Sequence, residues 1–168
     1  MIAVGNPAAA KDRITATSIE STRIVHKQEY VMNDDLKPVL DGVFNASPSP
    51  RLSGGVCPEC HKKYFPKPMV CHHCLEQVQD VELSSTGRLF TFTIVRTKPP
   101  FGLPQPYAVG YVDLDVDGLR IFSLLDSAHI DRLAIGQQLY LRIAPIGVDS
   151  TGQACLRYYF TPEGGERP

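Results

Sequence analysis

The chain lacks the marks of several protein classes. None of its 168 residues falls in a run near the roughly 18 apolar residues that a membrane-spanning helix needs. Met1 to Ala10 is mildly apolar, but it has neither a basic start nor a long apolar core, which argues against a secretory signal. There is no charge surplus either: 17 lysines and arginines face 18 aspartates and glutamates, a formal charge of −1. General nucleic-acid binders usually carry a basic excess. Catalytic signatures are absent as well. The chain holds no GxSxG, HExxH, GxxxxGKS/T or GxGxxG. By itself it is not expected to be an enzyme.

With no export signal, the cysteines become informative. There are five, an odd number, which speaks against a disulfide framework and for a metal site in a cytoplasmic protein. Four form two pairs, Cys57-Pro-Glu-Cys60 and Cys71-His-His-Cys74, ten residues apart. Two such pairs make a four-thiolate tetrahedral cage whose usual occupant is zinc; iron and an iron–sulfur cluster are the rivals. Four thiolates leave no open position for water, so Cys57, Cys60, Cys71 and Cys74 predict a structural site. Zinc binding to modules of this size is worth roughly 10–16 kcal/mol, more than so short a segment gains by packing. His61, His72 and His73 lie in or beside the knuckles and are read as non-ligands. Cys155, alone in a strand-like run, is expected to be a small buried hydrophobe.

Four stretches organise the chain. Residues 1–50 read as an arm and a helix: weakly periodic to residue 30, then helical from Asp34 to Phe44, where Leu36, Val39, Leu40 and Val43 share a face. Residues 51–80 are the metal ribbon. Residues 81–162 are β-rich, and residues 163–168 form a loose tail. The β-rich part opens with Leu89–Val95. A proline-rich loop and Tyr107–Val116 follow, and an Asp117-Gly118 turn leads into Leu119–Leu125. Ser127 then caps a short helix, and strands at Gln138–Ile146 and Ala154–Phe160 complete the set. Five strands with a helix between the third and fourth give the element order of an OB-fold, a small barrel that binds ligands on one face and in its loops. The fold class is therefore mainly β, a zinc ribbon followed by a five-stranded barrel. Asp113, Asp115 and Asp117 have part of a calcium-loop spacing but no following glutamate, so they read as the solvent face and turn of a hairpin. Arg88, Arg96, Lys98, Phe101, Tyr107 and Arg120 are placed near the barrel mouth. There they would suit a phosphorylated ligand with an apolar tail, a nucleic-acid strand or a partner; scattered solubilising charge is the plainer alternative.

The two cysteine pairs are followed by Gly87-Arg88-Leu89-Phe90-Thr91-Phe92-Thr93-Ile94-Val95, by Pro106-Tyr107-Ala108-Val109-Gly110-Tyr111-Val112-Asp113-Leu114, and by Ile135-Gly136 before a strand. In this order they resemble the acyl-CoA-associated zinc-ribbon plus OB-fold family over about residues 33–162. The resemblance implies a helix before the ribbon, metal ligation by the four paired cysteines, and no catalytic residues of the chain's own. It implies a non-catalytic accessory subunit in a hetero-oligomer with a thiolase-like catalytic chain, the barrel meeting acyl-CoA or the partner's active-site entrance. A setting in aromatic-compound degradation lies within the family's range. The alternatives are a subunit of an acyl-CoA hydratase or aldolase, or a nucleic-acid-binding ribbon and OB protein. Against the last, residues 51–79 carry only four cations against two carboxylates. The arm before residue 33 departs from the two-module pattern and is expected to reach a partner.

Overall fold

The computed structural model describes residues 36–46 and 49–162. The expected arm and loose tail lie outside these residues, as does the start of the expected helix. Nine strands follow in order: β1 (Phe44–Asn45), β2 (Arg51–Val56), β3 (Lys63–Tyr64), β4 (Gln79–Glu82), β5 (Thr86–Val95), β6 (Tyr107–Leu114), β7 (Arg120–Leu125), β8 (Gln138–Val148) and β9 (Ala154–Thr161). A 3₁₀ helix, Ser127–Arg132, the single helix among the described residues, sits between β7 and β8.

The first four strands form a small antiparallel sheet in which β2 pairs with β1, β3 and β4. The last five close into a barrel in the order β5-β6-β7-β9-β8, with β7 and β9 parallel and every other neighbour antiparallel. Closure removes the exposed sheet edges that invite wrong pairing. The five-stranded barrel expected from the strand count is therefore formed. The short helix is displaced slightly. Its cap is Asp126, whose Oδ1 accepts the Ala128 amide at 2.9 Å, and not Ser127. Ile130 and Leu133 do pack on the core, as their spacing predicts.

The helix expected over 34–44 is not formed by the described part of that stretch. Lys37 to Val39 run beside β9 instead. The Val39 amide donates to the Leu156 carbonyl, and the Leu156 amide to the Lys37 carbonyl, each at 2.9 Å. Pro38 disfavours a helical conformation in the residue before it, and Gly42 turns the chain at a φ of +73°. Val43 and Phe44 then enter the core. The apolar spacing was real, but it served a long-range strand contact and not a helix face.

One core runs through both modules. Leu52 of β2 and Leu83 after β4 are fully buried among Leu89, Val112, Leu139, Leu141 and Phe160 of the barrel. Burying a leucine or phenylalanine contributes about 1.5–3 kcal/mol each, so the ribbon base and the barrel stabilise one another. Gly110 shows how close the packing is. A Cβ there would fall on the Thr91 carbonyl oxygen and within 3.0 Å of Leu125 Cδ1. Cys155 is buried, as expected.

β5 departs from simple alternation. Leu89 pairs with Val112 and Thr91 with Tyr111, so two steps on β5 match one on β6, and Phe90 is the extra residue. Strict alternation would put Phe90 and Phe92 on one face. The bulge separates them: Leu89 is buried and Phe92 packs against the core, while Phe90 remains 46% exposed.

Candidate metal centre and barrel faces

Two knuckles of the same design build the candidate metal centre. In the first, the His61 amide donates to the Cys57 carbonyl at 3.0 Å and the Cys57 amide to the Lys62 carbonyl at 3.0 Å. In the second, the Leu75 amide donates to Cys71 at 2.9 Å and the Cys71 amide to Glu76 at 2.8 Å. His61 and Leu75 hold the equivalent left-handed position, at φ of 58° and 63°. Each turn curls its two thiols inward. The four sulfurs of Cys57, Cys60, Cys71 and Cys74 lie within 4.8 Å of one another, with Cys57–Cys74 at 3.3 Å and Cys60–Cys71 at 3.5 Å. A zinc–sulfur bond of about 2.3 Å at tetrahedral angles sets sulfurs roughly 3.8 Å apart, so these cysteines could hold such an ion. His61, His72 and His73 supply no ligand atom to this group.

The electrostatics fit a cation. The Tyr64 hydroxyl, 3.0 Å from Cys71 Sγ, stabilises the Cys71 thiolate, and with the His73 and Cys74 amides it pulls the Cys71 pKa down to about 5. The same bond pushes Tyr64 up to about 12. Cys74 is driven up to about 12: its Glu76 amide favours the thiolate, but the bond to Cys57, burial and the remaining thiols outweigh it. Adjacent thiolates repel, and a divalent ion between them removes that penalty.

The ribbon is clasped to the barrel by a contact with no local sequence signal. Lys63 of β3 places Nζ 2.6 Å from Asp117 Oδ1, and the Ser84 amide donates to Asp117 Oδ2 at 2.6 Å. The Asp117 side chain is 2% exposed. The reading of Asp113, Asp115 and Asp117 as one solvent face therefore holds only in part. Asp113 pairs with Arg120, Asp115 accepts from Thr86 and Gln138, and Asp117 is an interior anchor.

The six basic and aromatic residues do not gather at one mouth. Arg88 and Arg120 each lie opposite Asp113 in the strand register, near the start of β5 and of β7. Arg96, Lys98 and Phe101 belong to the loop after the far end of β5, and Tyr107 opens β6. At roughly 3.3 Å per residue, the eight positions from Arg88 to Arg96 span about 26 Å. Phe101 is exposed at the loop tip, and its carbonyl accepts the Val148 amide at 2.8 Å. Arg157 lies 5.9 Å from its ring. Tyr107 lines a cleft of about 210 Å³ with Leu103, Pro104, Leu124, Asp126 and Tyr159. Arg96 and Lys98 are exposed and do not line it.

Comparison with known proteins agrees with this architecture. The model of the ChsH2 C-terminal OB-fold domain matches residues 80–144. A benzoylsuccinyl-CoA thiolase subunit, BbsA, of Geobacter metallireducens is 30% identical over 112 residues, covering 66% of this chain and 74% of that protein. The chain belongs to the DUF35 family. Another relative of this DUF35 chain is a DUF35 domain-containing scaffold protein of Methanocaldococcus jannaschii, 28% identical over 117 residues and covering 66% of this chain and 81% of that protein. Among solved structures, an Ltp2–ChsH2(DUF35) aldolase chain is 25% identical with a TM-score of 0.55, covering 67% of this chain and 84% of that chain.

Proposed function

We propose that this DUF35 protein is a non-catalytic accessory subunit of a thiolase-type acyl-CoA enzyme. It would dock on the catalytic chain, help to position the acyl-CoA, and be held folded by one structural zinc. The observation that carries this reading is the likeness to a thiolase subunit over both the ribbon and the barrel. In such an assembly the partner supplies the nucleophile and the acid–base groups. This chain supplies a rigid surface. Cys57, Cys60, Cys71 and Cys74 would be the zinc ligands, and the metal's contribution is a cross-link between the two knuckles. A subunit of this kind works in the cytoplasm, where cysteines stay reduced.

A second reading rests on the aldolase structure, since DUF35 chains also occur with that class. Tagging the full chain in its native host and identifying what co-purifies in stoichiometric amount separates the two. A thiolase-like chain supports the first reading and an aldolase-like chain the second. A lone monomer without affinity for CoA would overturn both. Tight, salt-steep binding of a single-stranded oligonucleotide would favour a nucleic-acid role instead.

A further inference from the structure

The outer face of β5, β6 and β7 carries two rows that the barrel does not use. The first is aromatic: Phe90 on the bulge of β5, Tyr111 on β6 and Phe122 on β7. They are 46%, 44% and 54% exposed, and Tyr111 and Phe122 meet edge to face at 5.4 Å. The second row is charged: Arg88, Asp113 and Arg120, aligned by register. Arg120 reaches across β6, binding Asp113 at 2.6 and 2.9 Å and stacking over Phe90 at 3.2 Å.

About half of each ring stays uncovered by the fold, and the bulge is what turns Phe90 outward while Phe92 goes to the core. Aromatic and arginine side chains are the residues that dominate binding energy at protein interfaces. At roughly 150–250 Å² per ring, three half-exposed rings offer on the order of 300 Å². A stable interface needs roughly 800 Å² on each side, so the patch alone does not make a self-sufficient dimer. It can extend, because Phe122 also lines a groove of about 420 Å³ bordered by Leu40, Phe65 and Tyr158. Asp113 neutralises Arg120, so the row's net positive charge rests on Arg88, which complements a carboxylate at the edge of an opposing surface. Arg120 is already engaged by Asp113 and Phe90, which leaves little cation for a phosphate backbone.

We infer that this face, from Phe90 to Phe122 with Arg88 and Arg120 at its rim, is where the catalytic subunit docks, through an apolar patch edged by acidic residues. The inference rests on the accessory-subunit reading above. The test is the tagged full chain expressed in its native host, as wild type, Phe122→Glu, Arg88→Glu and a control, Met69→Ser, which changes an exposed residue of the ribbon. Recovery of the thiolase-, aldolase- or hydratase-like chain should fall at least tenfold for Phe122→Glu and several-fold for Arg88→Glu, and stay unchanged for Met69→Ser. Should Phe122→Glu fail to fold, the surface change at Arg88 decides. Wild-type recovery in folded, zinc-loaded variants overturns the docking face alone. A wild-type chain that recovers no such partner overturns the subunit reading and this inference with it. A homodimer, or oligonucleotide binding, abolished by the same variants would also overturn it, by giving the face to another occupant.

Discussion

Replacing Lys63 with methionine tests whether the ribbon and the barrel are one folding unit. The change keeps the length of the side chain and removes its charge. Asp117 is left with the Ser84 amide at 2.6 Å and no cation, in a site where its side chain is 2% exposed. Breaking a buried pair by removing one partner costs roughly 3–5 kcal/mol, against about 0–1 kcal/mol for an exposed pair. Lys63 itself is 28% exposed and the amide bond survives, so the lower end applies, about 3 kcal/mol. With a urea slope of about 2 kcal/mol per molar, the midpoint should drop by about 1.5 M at an unchanged slope. The measurement is equilibrium urea unfolding of the purified protein, with its metal content followed in parallel, which should not change. The double variant Lys63→Met/Asp117→Asn removes the stranded charge and should recover at least half of the loss. A single variant within about 0.5 kcal/mol of wild type would refute the argument, and so would a double variant no better than the single. Either result would mean that the Lys63–Asp117 pair does not hold the ribbon to the barrel.

Other perturbations probe separate parts of the chain. Gly110→Ala drives a methyl onto the Thr91 carbonyl and into Leu125, and should cost about 3 kcal/mol by overpacking; a change within experimental error in thermal unfolding would show that β5 and β6 can separate freely there. Cys71→Ser removes a buried sulfur from the cage and should abolish stoichiometric zinc; undiminished metal with an unchanged circular dichroism spectrum would rule out the four-cysteine site. Asp126 gives a pH signature: burial disfavours its carboxylate, but bonds from His129, Thr161 and the Ala128 amide outweigh that and hold its pKa below the ordinary range. A depressed folded pKa stabilises the protein above the unfolded value near 3.9 and loses that stabilisation as pH falls through the folded value. Asp126→Asn keeps a capping oxygen but removes the charge, so it should lower stability at pH 7 and flatten the stability profile below about pH 4; an unchanged acid limb would count against this account.

Much of the architecture was legible because it is written in local signals. Two CxxC pairs report a four-thiol cluster whatever surrounds them, since the turn geometry is contained in five or six residues. The Asp117-Gly118 turn, the alternation along β6 and the order of elements from β5 to β9 are likewise short-range, and they were enough to indicate the barrel. The resemblance to the family was carried by the same stretches.

What went unread depends on residues far apart in the chain. Leu36 to Val43 has a helix-like spacing, yet Pro38 and an available edge at Leu156 turned it into a strand contact. Phe90 and Phe92 are alike in sequence, and only the register of β5 against β6 sends one to solvent and the other to the core. The cations proposed as one cluster are separated by the length of β5, which composition does not encode. Lys63 and Asp117 stand 54 positions apart, and neither residue type announces an interior pair. The sequence by itself determined the thiol cage and the strand order, because covalent spacing and side-chain period control both. The tertiary structure alone decided which aromatic rings stay outside and how the ribbon grips the barrel, because those outcomes are set by register and by packing between distant segments.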